Sequence, residues 1–183
     1  ADNIAFCRAL VRAPSRQAVL FGMPWTLQEK AQALLDRWDD LVPAERHAAV
    51  HAGTCAVAML LLTRCAPLRI KNLAAIPYKG PKRWLSAPVK GGLALLLIPA
   101  SPTKNKKEIR AHLQNAGKRN SWSLVAWYLE HVRPRMAEVG STSPEAIDGP
   151  ALFPGNGGAI AKGTLRDWIK LETAACGLPM RPH

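Results

Sequence analysis

Apolar residues recur at helical spacing after Thr26, with Leu27, Ala31, Leu34, Leu35 and Trp38 on one face. Thr26-Leu27-Gln28-Glu29 has capping-box spacing, in which hydroxyl and carboxylate each satisfy a free backbone N–H, so a helix is predicted from Leu27 to about Asp40. Pro43 stands where a second helix would begin, and that helix should run to about Arg64. Its second half, Cys55–Leu62, is apolar on all sides, which predicts a position at the centre of the core. Pro67 ends this pattern, and a short helix is expected over Arg69–Ile76. The period then changes. Trp84–Val89 and Leu93–Ile98 read as strands separated by Lys90-Gly91-Gly92; Pro102-Thr103-Lys104-Asn105 forms a turn, and Ile109–Leu113 returns as a third strand. Ser121 can cap a helix carrying Leu124, Val125, Tyr128, Leu129 and Val132 toward Pro134, and Gly140–Pro150 reads as a loop. After the turn Pro154–Gly158, Thr164 can cap a last helix with Leu165, Trp168 and Ile169 inward, ended by Gly177. The expected fold class is mainly α with a small antiparallel β-sheet of three strands. Residues 1–25, broken by Pro14, Gly22 and Pro24, hold no period and are expected to be an N-terminal linker or extension to one domain spanning 26–183.

At 183 residues, 48% of them hydrophobic and 21% charged, the chain has room for one ordinary globular core. The charge-free stretch Ala48–Thr63 falls short of the roughly 20 apolar residues a membrane span needs, so no membrane partner is expected. The chain opens on Ala1 with no signal-peptide pattern, which is expected of a processed protein or a piece of a longer one. Cys7, Cys55, Cys65 and Cys176 form no C-x-x-C pair and have no histidines at ligand spacing, so neither metal nor cofactor is expected, and a reducing cytoplasm suits them.

Charge changes the picture more than composition does. Thirteen of the 25 basic residues lie between Arg64 and Arg119, where the one acid is Glu108; the whole formal excess of +12 therefore sits in that segment and the rest of the chain is neutral. A charge excess confined to one segment makes one cationic surface, suited to a polyanion such as double-stranded DNA. Lys71, Lys79, Lys82, Arg83, Lys106 and Lys107 are the candidate nucleic-acid contacts. The six tryptophans are expected in helix packing, with Trp84 the one inside the basic segment that could instead stack on a base.

Three segments carry candidate chemistry: the apolar helix leading through Thr63-Arg64-Cys65-Ala66-Pro67-Leu68-Arg69-Ile70-Lys71-Asn72-Leu73, the strand turn Pro102-Thr103-Lys104-Asn105, and Gly177-Leu178-Pro179-Met180-Arg181-Pro182-His183 after the last helix. In this order they resemble the catalytic domain of the tyrosine recombinases, the phage-integrase family, and Leu152-Phe153-Pro154 is similar to a connecting segment of that family. The resemblance spans roughly Pro24 to His183. It implies that Arg69 is the first catalytic arginine, Lys104 the hairpin lysine and His183 the histidine opening the His-x-x-Arg box. It also implies a reaction in which DNA is cut and rejoined through a 3′-phosphotyrosine, with no cofactor, in the bacterial nucleoid and with self-association on DNA. The chemistry fits these residue types: a guanidinium offers two aligned donors to phosphate oxygens, a hairpin lysine can protonate a departing 5′ oxygen, and an imidazole exchanges protons near neutral pH. Pro67 and Asn72 stand near positions where many members carry Gly and Glu. The second-box arginine and the nucleophilic tyrosine would lie past His183, so residues 1–183 are expected to be an incomplete catalytic domain, inactive by itself. Type IB topoisomerases share the chemistry and are the neighbouring alternative; a non-catalytic basic nucleic-acid-binding module is the other.

Overall fold

A computed structural model of the chain describes residues 8, 10–117, 119–178 and 180. The first helix described in full, α1, spans Pro14–Leu35 and is followed by one 3-10 turn, Trp38–Asp40. Residues 14–25 are therefore part of a core helix and not a linker. Pro14 sits in its first turn, where a missing N–H costs nothing. Gly22 and Pro24 lie inside the helix, and each disfavours it locally. They are tolerated because Leu20, Met23, Trp25, Leu27 and Ala31 are buried, on the helix that packs most extensively against α2. The Thr26 capping box does not form: the Thr26 hydroxyl donates to the Gly22 carbonyl at 3.4 Å, one turn back, as helix-interior threonines do.

Helix α2, Pro43–Leu60, starts at Pro43 as expected, with the Glu45 carboxylate accepting from the Val42 N–H at 3.2 Å. It continues as a π turn, Leu61–Cys65, closed by Ala66 N–H to Leu61 C=O at 3.2 Å. The helix and its π turn together are long and apolar enough to cross a membrane, but Ala52–Leu61 is buried within the protein itself. The short helix α3, Ile70–Ala74, follows. The sheet is antiparallel in the order β1 (Leu85–Ser86), β2 (Ala94–Ile98), β3 (Ile109–Leu113), with Leu85 opposite Leu96, Ala94 opposite Leu113 and Ile98 opposite Ile109. The first strand is much shorter than Trp84–Val89, and Trp84 packs half-buried against the core.

Helix α4, Ser121–Trp127, is capped by Asn120, whose side-chain oxygen accepts from Ser123 N–H, so the cap stands one residue before Ser121. A second π turn, Tyr128–Val132, leads to α5, Arg135–Glu138. The stretch expected as a loop contains α6, Pro144–Asp148, capped by the Ser143 hydroxyl. A two-residue hairpin, β4 (Pro154–Gly155) with β5 (Gly158–Ala159), precedes α7, Lys162–Ala175, which starts two residues ahead of Thr164. Gly177, at φ +76°, closes α7: its N–H reaches Ala174 C=O and the Leu178 N–H reaches Thr173 C=O, the paired bonds of a Schellman motif. The coarse expectation therefore stands: the protein is mainly helical with a small antiparallel sheet.

Two polar anchors fix this frame. Arg133, 3% exposed, donates to the carbonyls of Ile147 (2.6 Å), Gly149 (3.3 Å) and Ala151 (2.9 Å) and lies over the Tyr78 ring, 4.9 Å from its centroid. It thereby pins the chain that carries α6 to residues 76–78, where Leu152 N–H bonds Ile76 C=O at 2.8 Å. Lys30 of α1 pairs with the buried Glu172 of α7 at 2.7 Å. Gly53 allows the close approach of α2 to the second π turn, since a Cβ there would stand 2.6 Å from a Val132 methyl.

His51, on α2, stacks on Trp168 of α7 with ring centroids 4.0 Å apart. Burial first, then His47 and Lys30, lowers its pKa from the usual 6.5 to about 4. The folded protein thus holds His51 neutral where the unfolded chain would protonate it. The stabilisation is complete above about pH 6.5 and is lost as pH falls toward about 4. Thermal melts should show Tm dropping across that window, and His51→Gln should flatten the drop. An equal drop in the variant would assign the acid sensitivity to other groups.

Candidate phosphate-binding site

Arg69 is the residue immediately before α3. Leu68 and Ile70 on either side of it are buried, and its own carbonyl accepts from the N–H groups of Asn72 and Leu73, both at 2.9 Å. The backbone is fixed while the side chain remains exposed. Lys104 lies on the turn joining β2 to β3, and this turn is organised by Thr103. The Thr103 hydroxyl, buried, lies 2.9 Å from Ala100 O and 2.8 Å from Lys107 O, and accepts from Lys107 N–H at 3.1 Å. One side chain thus ties both arms of the turn together. Lys106 takes a positive φ of 52°, which turns the chain back toward β3.

These two pieces meet. Pro67, Arg69 and Asn72 from one side and Thr103, Lys104, Asn105, Lys107 and Ile109 from the other line a single open cavity of about 170 Å³. Three of its lining residues are cations and none is an acid. Elsewhere the ion pairs of the described residues engage Lys30, Arg110, Arg119, Arg166 and Lys170, and His131 beside Glu130, and none of them engages Arg69, Lys104 or Lys107. Asn72, 3% exposed, supplies a neutral polar wall. Such an arrangement has donors on several sides of one small volume, the geometry that favours a tetrahedral oxyanion.

Of the residues singled out in the sequence, Arg69 and Lys104 are brought together. Lys107, read as a nucleic-acid contact, lines the same cavity. Lys71 is exposed on α3, and Lys106 is exposed on the turn with its ammonium 3.4 Å from Ser101 O. Lys79, Lys82 and Arg83 are exposed on the turn after α3, where Arg83 bonds the Ser86 hydroxyl at 3.2 Å and Lys79 lies 5.4 Å from the Tyr78 ring centroid. His183 lies outside the described residues. Asn72 and Thr103 were not singled out as site residues; their places, three residues after Arg69 and immediately before Lys104, were the signal that could have found them. Among the described residues no group of three His, Cys, Asp or Glu side chains could hold a metal ion. Neither tyrosine is presented as a nucleophile: Tyr128 is fully buried with its hydroxyl donating to Leu152 O at 3.1 Å and its pKa raised by burial, and Tyr78 is half-buried beneath Arg133.

Comparison of the chain with protein-family models, with curated proteins and with solved structures found no match.

Thr103→Val keeps the shape of the side chain and removes the oxygen. It should loosen the turn by about 1–3 kcal/mol through the hydrogen bonds lost at a buried position. Amide exchange at Lys107 should accelerate while exchange in β2 stays slow. Unchanged Lys107 protection would show that the turn is held by something other than the hydroxyl.

Proposed function

We propose that this chain is the phosphate-gripping part of a DNA strand-exchange enzyme of the tyrosine-recombinase kind. The observation that carries the reading is the acid-free cavity shared by Arg69, Lys104 and Lys107, formed by two segments that the sequence separates by more than thirty residues. The order of motifs and the mainly helical architecture with a small sheet support the same reading.

In this mechanism a tyrosine hydroxyl loses its proton to solvent and its oxygen attacks the scissile phosphorus, the P–O bond to the 5′ oxygen breaks, and a 3′-phosphotyrosine forms. Charge builds on the two non-bridging oxygens as the bond order changes. Arg69, anchored by buried neighbours, donates to those oxygens. Lys104 gives its proton to the departing 5′ oxygen, leaving a free 5′-hydroxyl; rejoining reverses each step. Lys107 raises the local positive potential without touching the leaving group. Tyr78 and Tyr128 are not the nucleophile, for the reasons of burial given above. His183 keeps its place in the reading through the motif alone.

The test uses the full product of the gene, a nicked suicide duplex carrying its recombination site, and denaturing electrophoresis. A covalent protein–DNA adduct is expected; Arg69→Ala and Lys104→Ala should each slow its formation by about 100–1,000-fold, the usual cost of removing one preorganised donor. Residues 1–183 alone should bind duplex DNA and give no adduct. An Arg69→Ala protein reacting at the normal rate would sink the arginine assignment. Tight duplex binding with no adduct from the full gene product would instead make this a binding module.

A further inference from the structure

A second cationic recess lies beside the first. Phe21, Gly22 and Trp25 of α1, Arg64 of the first π turn, and Gln114, Arg119 and Ser121 line a cavity of about 160 Å³. Arg64 stands 5.3 Å from the Trp25 ring centroid and 5.2 Å from that of Phe21, and Arg119 stands 6.0 Å from Trp25. Two guanidinium groups are therefore held against one indole. One Arg64 amino group donates to Phe21 O at 3.1 Å, which leaves most of its five donors free. Arg119 makes an ion pair with Glu29 at 3.3 Å, but both partners are more than 60% exposed, and such a pair yields readily to a stronger anion. Stacking restricts the arginines, so less rotamer freedom is lost when they take a ligand.

The linings of the two recesses are joined along the chain by β3. Ile109, at the start of β3, lines the Arg69–Lys104 cavity, and Gln114, just past its end, lines the Arg64–Arg119 recess. The five intervening steps at ~3.4 Å each put those two backbone positions about 17 Å apart. Between them β3 exposes Arg110 and His112, and β3 packs against the π turn that carries Arg64.

We propose that the Arg64–Arg119 recess is a second phosphate-binding site, which takes a backbone phosphate of the same duplex whose scissile phosphate occupies the Arg69–Lys104 cavity. The inference rests on the DNA-binding part of the reading above and not on strand cleavage. The ligand chemistry is a phosphodiester oxyanion.

The experiment measures affinity for a fluorescent 30-base-pair duplex against salt, for residues 1–183 and for Arg64→Gln/Arg119→Gln. Each neutralised phosphate contributes a slope of about −0.9, so losing one contact makes the fall in affinity between 50 and 200 mM salt about 3.5-fold smaller. That reduction is expected in the double variant. Gln114→Glu is the second variant. It keeps both guanidiniums and their stacking, places a carboxylate at the recess, and should weaken duplex binding with an unchanged melting temperature. If the unmodified chain binds duplex with a salt slope that neither variant alters, this site is wrong while the DNA reading stands. If the unmodified chain does not bind duplex, both fall. A calorimetric titration with inorganic phosphate separates the two sources of the anion. Weak binding is expected, whereas tight binding abolished by Arg64→Gln/Arg119→Gln, with duplex affinity unaffected, would assign the recess to free phosphate and overturn the proposal.

Discussion

Burying α2 on every side organises this molecule. From Ala52 to Leu61 every position is buried, so no face of the helix is left for solvent. A helix apolar all round needs partners in every direction, and here α1, α7, and α4 with its π turn supply them. The demand explains how α1 survives a glycine and a proline in its interior. Burying Leu20, Met23, Trp25 and Leu27 is worth about 1.5–3 kcal/mol per side chain, more than the helix loses at Gly22 and Pro24. It also explains why Gly53 is glycine, since the approach to Val132 leaves no space for a methyl group.

Signals that are local and chemical were legible in the sequence. Pro43 marked the start of α2, Ile109–Leu113 stood out as a strand with its bounds correct, and Gly177 marked the end of α7. The misses share a cause: packing between distant segments outweighed local chemistry. Gly22 and Pro24 argued against a helix that the core imposes, Thr26 offered a cap that a continuing helix does not use, and Asn120 took the cap that Ser121 could have provided. The π turns have no sequence signature, because they arise where a buried helix must accommodate one extra residue. For the site, the segregation of charge was visible. The meeting of Arg69 with Lys104 in one cavity depends on how the sheet docks beside α3, which residue types alone do not determine.

Two kinds of arginine occur in this protein. Arg133 is buried and spends its donors on three backbone carbonyls, so its charge is consumed in holding residues 147–151 against the chain after α3. Arg69 is exposed, without an acid in its cavity, on a backbone held by buried neighbours. In the first kind the two terminal amino groups find carbonyl oxygens, which offsets much of the cost of burial, while the buried Nε has no partner among the described residues. The second preserves its field for whatever enters, because no ion pair among the described residues engages it.

The outer strand β3 has a consequence of a metric kind. It runs from Ile109, which lines one cationic recess, to the residue before Gln114, which lines the other, so the backbone interval between those two residues is set by hydrogen-bond register, with Ala94 opposite Leu113 and Ile98 opposite Ile109, and not by the conformation of a loop. A strand advances ~3.4 Å per residue, and its side chains alternate between the two faces of the sheet. One residue inserted into β3 would turn the side chains beyond it to the opposite face or bulge the strand, so the register fixes the facing of the two ends of β3 as well as their distance.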